Sequence, residues 1–349
     1  MERKAAKMDS TADDSFESET VLSILKDLMT CMKDVVVALL VSTWRFFISP
    51  PRKCVKNEIV LITGSGSGIG RQLAEEFAKL GAILVLWDIQ ENTNLETADL
   101  VRQAGAKCYC YICDVGNRDD VYRTAKRVKQ EVGDVTILVN NAGVVSGKKL
   151  IDIPDHQIEK TINVNLLAHF WTVKSFLPTM MRRNRGHVVT VGSSTGLVGL
   201  NKLTDYSTSK FGVVGFSEVL HYEVIYGGYD GVNTTLICPS FVNTGLFHGC
   251  KMKFPWLLPA LETQKTVDRM MQAILTNQKM LCIPRSVYFL ATLKMILPVD
   301  AFIEVKKFFG AAAFMDTYVG RDKKSDSPTS GTNGTNGFNT DNKQNVTDS

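Results

Sequence analysis

The run Ile59-Val60-Leu61-Ile62-Thr63-Gly64-Ser65-Gly66-Ser67-Gly68-Ile69-Gly70 constrains this chain more than any other stretch. Its first five residues read as a buried strand, and the glycines after them let the backbone turn sharply and approach a ligand closely. A helix starting at such a turn offers free N–H groups and the positive end of its dipole to an anion. The run therefore reads as a pyrophosphate cradle made by Gly64, Ser67, Gly68, Ile69 and Gly70. The fingerprint G-x-G-x-x-G does not fit from Gly64, because its third glycine would fall on Ile69. What fits is Thr63-Gly64-x-x-x-Gly68-x-Gly70. A plain strand-to-helix connection can also be glycine-rich, so the cradle needs support from residues farther along the chain.

A chain of 349 residues that is 44% hydrophobic can bury one large core with tails. Its net charge of +4 is small for that size, and no strand face interleaves aromatic and basic residues, so a nucleic-acid partner is not expected. Cys108, Cys110 and Cys113 lack a fourth ligand at a recognisable spacing, and the histidines form no metal-binding pattern, so no metal is expected either.

Residues 1–20 are polar and read as a disordered extension. Residues 21–50 read as a helix whose longest clean apolar run, Val35 to Trp44, is too short to span a bilayer. Trp44, Phe46 and Phe47, with Arg45, Arg52, Lys53 and Lys56, resemble an aromatic belt with a basic flank, which favours a membrane-associated helix. An amphipathic helix packed on the domain remains the alternative, and Pro50-Pro51 ends either one.

Strand and helix patterns then alternate: a helix over 68–80, a strand over 83–87 ending in Asp88, a helix near 92–104, a strand over 107–113, a helix over 118–132 and a strand over 136–139. Alternation of this kind predicts an α/β fold with a doubly wound parallel sheet over about residues 55–285, ligands lying beyond the carboxyl ends of the strands. There the cradle meets Asp88, Asp114 and Asn140-Asn141-Ala142-Gly143. Asp88, about 20 residues past the glycine turn, is placed to bind ribose hydroxyls and repel a 2′-phosphate, which favours NAD over NADP. Asp114 could reach the adenine edge. A long helix over 154–181 contains the poor helix formers Asn163 and Asn165. The strand 186–191 delivers Ser193, and a helix from about Thr204 puts Tyr206 and Lys210 on one face, one turn apart.

Taken together, Thr63-Gly64-x-x-x-Gly68-x-Gly70, Asn140-Asn141-Ala142-Gly143, Ser193 and Tyr206-x-x-x-Lys210 resemble the short-chain dehydrogenase/reductase family, over about residues 55–285. Ala168-His169-Phe170-Trp171-Thr172 and Lys210-Phe211-Gly212-Val213-Val214-Gly215-Phe216 are similar to its membrane-associated retinol dehydrogenase branch. The resemblance implies a Rossmann fold and a catalytic tetrad of Asn165, Ser193, Tyr206 and Lys210. The choice of Asn165 over Asn163 follows the family pattern. It further implies cofactor contacts at Asn141, Ala142, Gly143, Tyr206, Lys210 and Thr244, a homodimer, and a lipophilic substrate, retinoid or steroid. The location implied is the endoplasmic reticulum membrane or a lipid droplet, facing the cytosol. One departure is visible: the family's Pro-Gly after the sixth strand is replaced by Pro239-Ser240-Phe241, with Thr244 still in place to hold the nicotinamide amide.

The chemistry fits those residue types. A tyrosine with a pKa of about 10 is a poor base unless a neighbouring ammonium, together with a positively charged nicotinamide, favours its phenolate, and Lys210 is the cation expected to do this locally. Ser193 would hold the substrate oxygen, and Asn165 a water linking Lys210 to solvent. Residues 245–261, rich in aromatics, read as a lid over a hydrophobic alcohol. Residues 286–320 read as an apolar helical segment with a second membrane contact, and 321–349 as a disordered tail.

Overall fold

The computed structural model describes residues 2–255 and 259–320. Seven strands, β1 (Ile59–Thr63), β2 (Ile83–Asp88), β3 (Cys108–Ile112), β4 (Ile137–Asn140), β5 (Gly186–Val191), β6 (Val232–Pro239) and β7 (Met280–Ile283), form one sheet in the order β3-β2-β1-β4-β5-β6-β7. Every pairing is parallel. Central strands carry apolar residues on both faces because helices cover both: β4 is buried at all four positions.

One face is covered by α2 (Gly68–Lys79), α3 (Glu91–Gln103) and α8 (Thr263–Leu275), which bury Leu73, Phe77, Val101, Met270 and Ile274 against Val60, Ile62 and Val139. The other is covered by α4 (Arg118–Glu131), α6 (Ala168–Arg182) and α7 (Thr204–Tyr226), which bury Val121, Phe176 and Leu220 against Leu61, Trp87 and Leu138. Each of the large apolar side chains removed from water here is worth about 1.5–3 kcal/mol before chain entropy is counted. The strand order reverses between β1 and β4, so the crevice for a ligand opens at their carboxyl ends. The doubly wound parallel fold expected from the alternating pattern is the one observed.

Two segments differ from expectation. The long helix over 154–181 is two, α5 (Asp155–Ile162) and α6, joined by a π-helical turn at Asn163–Leu167. Such a turn interrupts the regular backbone ladder, and it falls at the polar Asn163 and Asn165, whose side chains favour bonds other than those of a helix interior. At the N-terminus a single helix, α1 (Glu2–Phe47), runs through both the expected disordered extension and the expected anchor, with no boundary at residue 20. Leu39, Leu40 and Trp44 are 63%, 65% and 65% exposed, so this helix does not bury its apolar residues on the domain. No helix among the described residues is long and apolar enough to cross a membrane.

After β7 the chain forms α9 (Ser286–Ile296) and α10 (Val299–Phe308), then turns that bring Phe314 and Met315 back over the carboxyl end of the sheet. The tail 321–349 and the lid residues Trp256, Leu257 and Leu258 lie outside the described residues.

Candidate active site

The cradle is as tight as the glycines require. Gly64 has φ +65°, a left-handed conformation, and a Cβ on it would lie 2.8 Å from Ala142 Cα. A Cβ on Gly70 would lie 2.1 Å from Gly64 O and 2.7 Å from Asn141 Nδ2. The backbone thus folds onto itself and onto the end of β4, leaving the start of α2, with no acidic residue in its first turn, facing the crevice. Ser67 caps that helix in an extended conformation without spending its hydroxyl on the cap, and Ile69 follows in its first turn. Thr244 stands opposite, its Cβ 3.1 Å from where a Cβ on Gly68 would be. Thr244 therefore lies directly against the cradle at Gly68.

Asp88 sits at the end of β2 and its carboxylate accepts from Gly66 N (2.8 Å) and Gln90 N (2.9 Å). It is fixed at the crevice edge, where ribose hydroxyls would meet it. Arg71, which no sequence motif marked, reaches into the same corner, donating to Gly66 O (2.7 Å) and pairing with Glu96 (2.8 Å). Asp114 accepts from Gly116 N (2.9 Å) past the end of β3, shaping the turn there. Asn141 spends its amide on Thr63 O (2.9 Å) and Gly64 O (3.1 Å), tying β4 to the cradle. Ala142 N donates to Thr63 Oγ1 (3.1 Å), and Gly143 lies against Asn165 Oδ1. This motif therefore holds the floor of the crevice.

Asn165, fully buried in the π-helical turn, accepts from Val144 N (2.8 Å) and donates to Val144 O (2.9 Å) and Ser209 Oγ (3.1 Å). Its side chain locks the loop after β4 onto α7. Asn163 instead lies toward Gly116, away from that contact. Ser193 follows β5, its Oγ accepting from Thr195 N (3.1 Å) and Thr195 Oγ1 (2.9 Å), and it is the polar side chain near the Tyr206 hydroxyl that favours the ionised form of that phenol. Lys210 is buried, donates to Val191 O (2.9 Å), and stands with Nζ 5.8 Å from the Tyr206 ring centroid. Ser193, Tyr206 and Lys210 are thus brought together, with Asn165 supporting them from behind.

Burial pushes the Tyr206 hydroxyl up to about 12, only partly offset by Ser193, and burial pulls Lys210 down to about 8. With its Nζ turned to the Val191 carbonyl, the lysine does not by itself lower the phenol. A further positive charge in the crevice has to act with it.

Beside Ser193 lies a cavity of about 130 Å³, partly open to solvent, with Ser193 and Thr195 at one end and Leu203, Phe241, Phe302 and Phe314 in its walls. Phe247, from the expected lid, packs its ring edge-on to Tyr206 at 5.6 Å. The loop carrying the departure from Pro-Gly is pinned: Ser240 N donates to Ile283 O (2.7 Å) and Leu261 N to Phe241 O (2.7 Å).

Besides Arg71, sequence reasoning missed three contributors. Phe314 and Met315 pack beside Tyr206 and Leu203 from the far C-terminal end. Asp205, buried next to Tyr206, accepts from Ser146 Oγ (2.9 Å) and Thr161 Oγ1 (2.9 Å), holding the loop after β4 to the start of α7. Only its place in the first turn of α7 could have marked it.

Residues 58–253 match the family model described as short chain dehydrogenase. The chain is a short-chain dehydrogenase/reductase. Relatives include epidermal retinol dehydrogenase 2 of Mus musculus, 45% identical over 87% of this chain and 99% of its own length. Retinol dehydrogenase 10 of Homo sapiens is 43% identical over 87% and 97%. A short-chain dehydrogenase/reductase from Burkholderia phymatum, solved in complex with NAD, superposes with a TM-score of 0.64 at 26% identity, covering 73% of this chain and 96% of that one. A metagenomic short-chain oxidoreductase in complex with NADP gives 0.55 at 25%, covering 65% and 93%. The chain falls in the retinol dehydrogenase branch of the family, and this dehydrogenase is an oxidoreductase acting on CH–OH groups.

Proposed function

We propose that this dehydrogenase oxidises a lipophilic alcohol, all-trans-retinol to all-trans-retinal, with NAD as cofactor. The observation that carries the reading is Ser193 at the end of an apolar cavity, with Tyr206, packed against the wall residues Leu203 and Phe314, and Lys210 buried nearby. The names of the relatives supply retinol as the alcohol. Asp88 at the ribose edge supports NAD over NADP, since a carboxylate there repels a 2′-phosphate.

The cradle glycines, Asp88, Asp114 and Thr244 would hold the dinucleotide, which when bound supplies a hydride acceptor with a positively charged ring. Ser193 donates to the alcohol oxygen and fixes it beside Tyr206. Tyr206 takes the hydroxyl proton, its phenolate favoured by Lys210 together with the charge brought into the crevice. Lys210 passes the proton on toward solvent by way of a water held near Asn165.

The enzyme works on a membrane surface, at the endoplasmic reticulum or a lipid droplet with the catalytic domain in the cytosol. Support comes from the exposed apolar residues of α1 and from Phe289, Met295, Ile296 and Val299 on α9 and α10, which are 66–82% exposed. It pairs as a homodimer through α6 and α7, whose outer faces expose Phe170, Phe211, Tyr222, Ile225 and Tyr226. The test is turnover of retinol and estradiol by membranes containing the full chain, each with NAD and NADP. Retinol with NAD is expected to be the best pair; a preference for estradiol would reassign the substrate, and failure with every alcohol would refute the reading.

A further inference from the structure

A channel for retinol needs apolar walls and a hydroxyl-handling end, yet the wall of this cavity also carries charge, all of one sign. Its charged residues are Lys251, Lys253 and Lys306, with no Asp or Glu among the lining residues. Lys253 Nζ lies 5.0 Å from the Phe254 ring centroid and 5.8 Å from that of Phe308. Lys306, half-buried in the last turn of α10, is held below the ordinary lysine pKa by burial and then by the charge of Lys294. Of the nearby acids, Glu304 is engaged with Lys307 (2.6 Å), Glu262 with Lys265 (2.7 Å) and Asp316 with Lys202 (2.6 Å), while Asp300, in the first turn of α10, is not a lining residue of the cavity. Among the described residues, none forms an ion pair with Lys253 or Lys306. A partly desolvated ammonium without a counter-ion is unfavourable, and a neutral alcohol gives it nothing in return.

We propose that the cavity accepts amphiphilic alcohols bearing a carboxylate at the end remote from the reacting hydroxyl, with Lys253 and Lys306 holding that carboxylate. An ω-hydroxy fatty acid is the simplest member of the class. Its chain would lie along Leu203, Phe241, Phe302 and Phe314, and its hydroxyl at Ser193. The step is the same oxidation: the carbinol carbon loses a hydride to NAD, the hydroxyl proton goes to Tyr206, and an ω-oxo acid leaves with its carboxylate unchanged. The inference rests on the reading of this cavity as an alcohol-oxidising site.

The experiment compares kcat/KM for ω-hydroxy fatty acids of ten to eighteen carbons with that for their methyl esters, in neutral phosphatidylcholine vesicles, alongside retinol. A charge-assisted contact to a partly desolvated lysine is worth about tenfold. The expected result is an acid-to-ester ratio of about ten or more at the best chain length, falling to about one in Lys253→Met/Lys306→Met. The charge-keeping Lys253→Arg/Lys306→Arg variant is expected to retain most of the ratio. Because the ratio is taken within one preparation, a loss of folded enzyme does not move it. A ratio of one in the wild type, or one that survives the double Met substitution, would overturn the inference. So would loss of binding to phosphatidylserine vesicles in the Met variant with the ratio intact, which would assign the lysines to lipid headgroups. Retinol oxidised without any acid preference would sink this inference alone, whereas acids oxidised and retinol refused would sink the retinoid reading alone.

Discussion

Gly70→Ala is the substitution whose consequence is most directly fixed by the geometry. The added Cβ would sit 2.1 Å from the carbonyl oxygen of Gly64 and 2.7 Å from Asn141 Nδ2, where an ordinary contact needs at least 3.4 Å. Neither neighbour can move freely. Asn141 Nδ2 is engaged with Thr63 O and Gly64 O, and Gly64 itself lies against Ala142. To relieve the clash, α2 must withdraw from β1 by more than an ångström, which opens the cradle and strips packing from Leu73 and Phe77. Overpacking of this kind costs about 1–3 kcal/mol of stability, and a displaced cradle should weaken NAD binding by at least about tenfold. Gly215→Ala is the control: it lies exposed on α7, away from the cradle and with nothing within 4 Å of its Cβ position, so the same change should leave NAD affinity unchanged. Chemical unfolding and NAD titration of the two variants decide the matter. Unchanged stability and NAD affinity in Gly70→Ala would refute the argument that close backbone approach defines this site.

Asp88→Ala should raise the KM for NAD by about 10–100-fold and narrow the preference for NAD over NADP, because the carboxylate no longer meets the ribose; steady-state kinetics with both cofactors check this. Acid stability should depend on His169, whose pKa is lowered to about 3, chiefly by burial and then by the charge of Lys210. Between pH 6.5 and 3 the unfolded chain binds this proton and the folded one does not, so stability falls as pH drops, by up to about 1.4 kcal/mol per pH unit. Urea unfolding at pH 7, 6 and 5 should show a shallower slope in His169→Gln. His187, also depressed by burial, should leave a residual slope.

Much of this architecture was legible because its signals are local. The β1–cradle–α2 unit and the Tyr206/Lys210 face lie within a few residues of one another, where periodicity and glycine positions speak directly. The rest depends on contacts between distant residues. Asp205 joins Ser146 across 59 positions, and Asn165 joins Ser209 across 44, so no local pattern reveals either partner. The break at Asn163–Leu167 was hidden because apolar residues continue at helical spacing on both sides of it. Phe314 and Met315 were missed because they come from turns after α10, where no periodic pattern points to a site more than 100 residues away in sequence. Lys210 was expected to be the local cation lowering the Tyr206 hydroxyl, but the distance of Nζ from the ring and its bond to Val191 O are tertiary facts.

Tyr206→Phe removes one oxygen from a buried ring that stays packed against Phe247 and Leu203. Turnover of retinol by this variant, measured beside its NAD affinity, probes the chemistry at its centre. Loss of activity by at least about a thousandfold with NAD affinity unchanged is the expected pair of results. Wild-type turnover without that hydroxyl would contradict the assignment of Tyr206 as the base.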